Sequence, residues 1–179
     1  ELPVSTEHDG VSVAEASELG TFQGHGFTPE QRALIDQDEL RVFDRYTPEF
    51  SFYCTETRPV DGPLGEAAIF RFLLRRPEVS RAAFDAHLKG PHADLARKLA
   101  GDLAPTRWAI NFTLDSPPPD FPFEAIEECW FATPEDAAHA LRAAAMQEVL
   151  DDLAAIGVSD RMVTMLTRPT HRWPKEPKR

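Results

Sequence analysis

Apolar residues recur along the chain at two spacings, and the order in which they alternate predicts the fold. Ala67–Leu74 (AAIFRFLL) is an apolar run of strand length, bounded by turn-forming residues. Ser80 then caps a helix over about 81–99, with Phe84, Leu88, Leu95 and Leu99 on one stripe. Gly90-Pro91 interrupts it, because proline removes a helical hydrogen bond and crowds the preceding turn. Trp108–Leu114 reads as a second strand. Ser116–Pro122 holds four prolines and is read as irregular. Phe123–Phe131 reads as a third strand. Thr133-Pro134-Glu135-Asp136 opens a second helix, with Thr as cap and early acids at the positive helix end. That helix is predicted to reach about 154, with Leu141, Ala145, Val149 and Leu153 on one face. Arg161–Arg168 reads as the fourth strand.

The order from residue 67 is β-α-β-β-α-β. This is the ferredoxin-like α+β arrangement, an antiparallel sheet with both helices on one face. The other face is partly apolar and must also be covered. Pairing with a second sheet, and so a homodimer, is the expected solution.

The first third is less regular. Residues 1–27 read as extended chain or loop. Thr28-Pro29-Glu30-Gln31 starts a helix, with Thr as cap, Pro at the first position and Gln reaching back. A short helix over about 29–44 carries Leu34, Ile35, Leu40 and Phe43. Tyr46–Glu56 reads as a strand, and Arg58-Pro59-Val60-Asp61-Gly62-Pro63 as a linker.

Charge sharpens this division. The 179 residues carry a formal charge of −11. Residues 1–56 hold 12 acidic and three basic side chains, whereas 57–167 hold 17 and 11. The tail 168–179 is basic. The expected parts are an acidic extension over 1–62, a folded domain over 63–168 and a basic tail over 169–179. Net acidity argues against nucleic-acid binding, which needs clustered Lys and Arg. No apolar run approaches the ~20 residues of a membrane-spanning helix. Cys54 and Cys129 lie 75 residues apart in no metal or redox motif, so a reducing cytoplasm is the default compartment.

An ordered set of segments resembles the EthD family of dimeric α+β barrels. They are Phe72-Leu73-Leu74-Arg75-Arg76-Pro77, Val79-Ser80-Arg81, Phe84, Gly90-Pro91-His92-Ala93, Arg107-Trp108-Ala109-Ile110-Asn111 and Phe123 to Phe131. The family pattern has a strand ending in Arg-Lys-Pro, a helix closing on His-Ala, a strand ending in Gln-Asn-His, and Glu before a Trp-Phe pair. The likeness covers about residues 67–168. Phe112 stands where many members carry a second His, and His87 or Leu88 where an aromatic often precedes the helical His. A weaker internal echo links Phe52–Pro59 with Val163–Pro169, both closing in Thr-Arg-Pro. It is read either as the remnant of a first ferredoxin-like half or as chance.

Side chains alternate faces along strands. Each strand then offers one polar residue among apolar neighbours: Arg71, Asn111, Glu128 and Thr164. If these faces line the barrel, the four converge in an apolar cavity, as at a small-molecule site. A carboxylate there would have a raised pKa and could move a proton. The plainer alternative is an Arg71–Glu128 ion pair that satisfies two buried charges. His92, the EthD-like histidine at the helix restart, is the residue most suited to proton transfer near neutrality; its alternative is a surface histidine. His87 lies off the i, i+4 spacing of a helical metal pair, so no metal is assigned. His139 reads as exposed, His25 as a loop residue, and His8 and His171 as terminal.

No phosphate loop, nucleotide fingerprint or nucleophile elbow is present. The resemblance implies a cofactor-independent enzyme, a lyase or isomerase type of dehydratase or cyclase, acting on an aromatic or polyketide-like small molecule. His92 would be the general base or acid, with Glu128 and Asn111 orienting substrate or stabilising an enolate. Arg71, Trp108, Trp130 and Thr164 would bind it. The rival expectation is a non-catalytic protein that holds a hydrophobic metabolite or haem.

Overall fold

The computed structural model describes residues 2–6, 8, 10–18, 20, 26–43 and 46–170. His25, His171 and the rest of the basic tail from 171 lie outside the described residues. Five strands form one antiparallel sheet: β1 (Cys54–Val60), β2 (Ala67–Leu73), β3 (Arg107–Thr113), β4 (Ala125–Phe131) and β5 (Val163–Thr167). Their order across the sheet is β1-β3-β4-β2-β5. The last four make the predicted β-α-β-β-α-β unit, and β1 is a fifth strand added beside β3.

The helices are α1 (Pro29–Phe43), α2 (Arg81–His87), α3 (Ala93–Leu103), α4 (Pro134–Ala140) and α5 (Ala144–Ile156). Three predicted caps are present. Ser80 Oγ accepts from the Ala83 amide at 3.2 Å. Thr28 and Gln31 bond reciprocally, as do Thr133 and Asp136. Each satisfies amides that the first helical turn leaves unpaired. Thr133→Ala is expected to lower stability by about 1 kcal/mol, read as a fall in thermal midpoint. An unchanged midpoint would mean that the tertiary contacts of α4 make its cap redundant.

Several boundaries differ from expectation. Tyr46 lies outside any strand, Thr47–Glu49 is a 3-10 turn, and the strand expected at 46–56 is β1. Arg58, Pro59 and Val60 belong to that strand rather than to a linker. The register slips between Thr57 and Val60, where Pro59 has no N–H to donate. The helix expected over 134–154 breaks at Leu141–Ala143. The break exchanges Ala145 for the larger Met146 on the stripe that buries with Leu141, Val149 and Leu153. The first predicted helix also divides. Between α2 and α3, Leu88–His92 forms a π turn containing Pro91. Proline lacks the amide and crowds the carbonyl four residues back, and the wider turn relieves both.

The helices α2 to α5 cover one sheet face. Ile69, Leu73, Trp108, Ile110, Cys129 and Phe131 point into that layer and meet Phe84, Leu88, Leu99, Met146 and Leu153. The opposite face carries a second apolar cluster: Ala68, Phe70, Phe72, Phe123, Trp130, Val163 and Met165. This face was expected to require a second chain. In the single chain it is crossed by the chain's own N-terminal residues. The Ser5 amide bonds the Thr164 carbonyl on β5 at 2.6 Å. His8 and Val11 lie on the aromatic face. Glu15 reaches Arg58 on β1 and Arg107 on β3 at 3.3 and 3.5 Å. Helix α1 buries none of its residues, and Leu34, Leu40 and Phe43 are exposed.

Candidate functional site

Strand pairing decides which polar residues meet. Arg71 lies opposite Glu127 across β2 and β4, and Phe70 lies opposite Glu128. The sheet therefore separates the residues that the sequence grouped together. Arg71, Trp108 and Thr164 belong to the helix-covered side, with His92 above them. Asn111, Glu128 and Trp130 belong to the open side. The expected convergence of Arg71, Asn111, Glu128 and Thr164 does not occur, and neither does an Arg71–Glu128 pair.

On the helix side a continuous chain of charged groups runs through the core. Arg71 Nη1 donates to Glu127 Oε2 at 2.5 Å. Glu127 Oε1 accepts from Trp108 Nε1 at 2.6 Å and from His92 Nε2 at 2.8 Å. His92 Nδ1 donates to Asp152 Oδ2 at 2.6 Å, and His87 Nε2 reaches the same carboxylate at 3.0 Å. Arg71, His92 and Glu127 are fully buried. The remaining Arg71 contacts are with the Met146 and Cys129 sulfurs, and its Nε has no acceptor.

The π turn explains why two histidines five residues apart serve one acid. Regular helix places i and i+4 on one face. The extra residue in the wider turn brings His92 round to Asp152 beside His87.

The electrostatics follow from burial and contact. Burial alone would push the His92 pKa down, but the bonds and charges of Asp152 and Glu127 outweigh it and hold it at about 9. Burial would raise Glu127, yet the Arg71 charge and the His92 bond bring it down to about 2. Asp152 is lowered despite partial burial, by its bonds to His92 and His87. Near neutral pH two cations thus face two anions. His92 donates from both ring nitrogens and keeps no lone pair. In that form it is disposed to give a proton rather than take one, and each ring nitrogen is bonded to a carboxylate.

The open side has a different character. Glu128 is 5% exposed, against Phe70 on β2 and Ala109 on β3. Its Oε1 accepts from Asn111 Nδ2 at 2.6 Å and its Oε2 from Trp130 Nε1 at 2.9 Å. Burial raises the Glu128 pKa; the two hydrogen bonds oppose this, and the Glu56 charge adds to it. On the same face Phe72, Phe121 and Phe123 pack edge-on or tilted against one another, at centroid distances of 5.0 to 5.7 Å.

A cleft of about 540 Å³ opens elsewhere, beside α2 and the loop after β3. Its arginines are already engaged, Arg75 by Glu124 and Arg81 by Asp85, and Lys89 lies over the Phe112 ring. It offers no uncommitted guanidinium for a ligand.

Sequence reasoning missed Glu127, Asp152 and the open-face part of His8. Alternation did place Glu127 with Cys129 and Phe131. What was absent was the register that puts Arg71 opposite it. Asp152 carried no signal beyond being an acid on a helix, and His139 is exposed as expected.

The family model described as the EthD domain matches residues 76–155. Those residues of the chain are similar to the EthD domain. The matched segment begins three residues after β2 and ends one residue before the end of α5, so it includes His92, Glu127, Glu128 and Asp152. An ethyl tert-butyl ether D (EthD) family protein from Bacillus halodurans is 20% identical, over 58% of this chain and 98% of its own, with a TM-score of 0.47. A hypothetical protein from Arabidopsis thaliana is 15% identical in its solution structure, over 63% of this chain and 95% of its own, with a TM-score of 0.45. The refined crystal structure of an Arabidopsis thaliana protein is also 15% identical, over 59% and 97%, with a TM-score of 0.46. No curated protein matches this chain. Among the described residues, no helix is long and apolar enough to cross a membrane.

Proposed function

We propose that the protein is a cofactor-independent proton-transfer enzyme, of lyase or isomerase type, for an aromatic or polyketide-like small molecule bound on the open sheet face. The observation that carries this reading is Glu128. A buried carboxyl with each oxygen held by a side-chain donor, set in an aromatic surface, is fixed in direction and shifted toward the proton affinity of a useful base. Glu128 takes the proton from carbon. Asn111 and Trp130 hold the carboxylate in place. Phe70, Phe72 and Phe123 supply an apolar wall that orients the ring and excludes water. The ionic network beneath contributes rigidity to β4, because Glu127 adjoins Glu128 and is tied to β2, β3 and the π turn, and through His92 to α5.

A suitable probe is 1-acetyl-2-naphthol, which joins an aromatic body to an enolisable ketone. The protein is expected to accelerate deuterium uptake into the acetyl methyl group in heavy water, followed by proton NMR. Glu128→Gln should lower the protein-dependent rate at least tenfold, as expected for loss of a positioned base. Probe binding with exchange no faster than in buffer would replace the enzyme with the second reading. In that reading the protein is a carrier for a hydrophobic metabolite, favoured by the small number of polar groups on the apolar face.

A further inference from the structure

The N-terminal strap does more than lie on the sheet: it places a ring into the aromatic surface. Phe52, Phe72, Phe121 and Phe123 form a cluster in which Phe121 meets the other three at 5.0 to 5.7 Å. His8 is its fifth ring. Its centroid is 5.4 Å from Phe121, nearly perpendicular, and 6.3 Å from Phe72. These are spacings of favourable aromatic pairs. The cluster adjoins the site, since Phe72 and Phe70 follow one another on the open face of β2 and Phe70 pairs with Glu128.

We propose that Phe52, Phe72, Phe121 and Phe123 form an aromatic-ring subsite, and that His8 is its built-in occupant, displaced when a substrate ring binds. The inference rests on the open face being the site, and it adds where the ring sits and what must leave. The ligand class is a planar aromatic ring carrying its reactive carbonyl or hydroxyl toward Glu128.

The attachment of the strap suits an occupant that leaves. Leu2 and Val4 pack against the helix-side core and the Ser5 amide bonds Thr164 at the β5 edge, so the segment is anchored at its start; beyond that anchor the described contacts are His8 and Val11 on the aromatic face and Glu15 at Arg58 and Arg107. The Glu15 side chain is 66% exposed, so its ion pairs are screened and weak. Residues 12–18 are exposed throughout. Segments with few buried contacts open at low free-energy cost. A covered site lowers apparent affinity by the fraction of molecules that are open. A strap closed nine times in ten therefore weakens binding about tenfold, and removing its ring recovers that factor.

Two measurements on the full chain test this with 1-acetyl-2-naphthol. Calorimetric titration should show His8→Ala binding about tenfold tighter than the unaltered protein, and Phe121→Ala binding more weakly. Hydrogen–deuterium exchange of residues 2–6 and 10–18 in the unaltered protein should become faster when the probe is added, because the Ser5 amide loses Thr164. Exchange that slows or stays unchanged while the probe binds would overturn the proposal, and does so even if His8→Ala folds poorly. Equal or weaker binding by a folded His8→Ala would overturn it too. If Glu128→Gln still abolishes methyl deuteration in those cases, the catalytic reading survives alone. Absence of probe binding by every variant would overturn both.

Discussion

Glu127→Leu is expected to destabilise the fold by about 3–5 kcal/mol, the cost of breaking a buried ion pair from one side. The substitution removes the acceptor for three donors at once: Arg71, Trp108 and His92. It leaves the Arg71 guanidinium fully buried with only two sulfurs nearby. A domain of this kind has a total stability of about 5–15 kcal/mol, so the loss is a large share of the whole. The loss belongs mainly to the stranded charge, and so is not the worth of the pair. Adding Arg71→Met removes that charge and should recover most of the stability, since well-packed apolar pairs commonly match buried ion pairs. His92 keeps Asp152 in both variants. Urea titration of the two variants reads the difference directly, provided the slope with urea is unchanged. A Glu127→Leu protein within about 1 kcal/mol of the unaltered chain would show that water or rearrangement solvates Arg71.

Raising the pH should also loosen the protein earlier than its acidity would suggest. In the folded state His92 titrates at about 9, above the 6.5 of a free histidine. The sign follows from the proton count: the folded chain holds a proton that the unfolded chain gives up first. The stabilisation is therefore complete below about pH 6.5 and is lost as pH rises through about 9. Its size is about 3 kcal/mol, at about 1.4 kcal/mol per pKa unit. On the acid side the limit is set by Glu127, held at about 2 against an ordinary 4.5. That contribution is present above about pH 4.5 and is lost as pH falls through about 2. Both shifts report largely the same His92–Glu127 contact seen from its two ends, so they are not summed. Urea midpoints measured from pH 5 to 9.5 should fall across the upper half, and His92→Gln should flatten that fall. A level profile in the unaltered protein would mean that His92 is not the charged member of this network.

Much of the architecture was legible because it rests on local rules. The strand–helix order, the caps at Thr28, Ser80 and Thr133, and the interruption at Pro91 each follow from a few neighbouring residues. Alternation also assigned Arg71 with Leu73, and Glu127 with Phe131, to the correct faces of their own strands. It could not match one strand's face to the next. Both faces of β2 are apolar, Ile69 and Leu73 on one and Phe70 and Phe72 on the other. Hydrophobic pattern alone therefore left a one-residue ambiguity in pairing, and one residue separates Glu127 from Glu128. The pairing of His87 with His92 was hidden for a related reason. A spacing of five is wrong for a regular helix and right for the wider turn that Pro91 induces. The place of His8 depends on a strap crossing the sheet, a long-range contact with no periodic signal.

The two segments that echo one another in sequence, Phe52–Pro59 and Val163–Pro169, contribute the outermost strands of the sheet. A sheet's outer rows of amides and carbonyls invite strands from other molecules. Here β1 carries Glu56, Arg58 and Pro59 along its row, and the backbone of β5 is met by Ser5. Lateral growth of the sheet into a fibre or a continuous inter-chain sheet is thereby discouraged at both margins. Freeing the strap would uncover an adhesive margin on β5 at the same moment as the aromatic surface, so variants that bind ligand more tightly should also be the ones that aggregate sooner on storage.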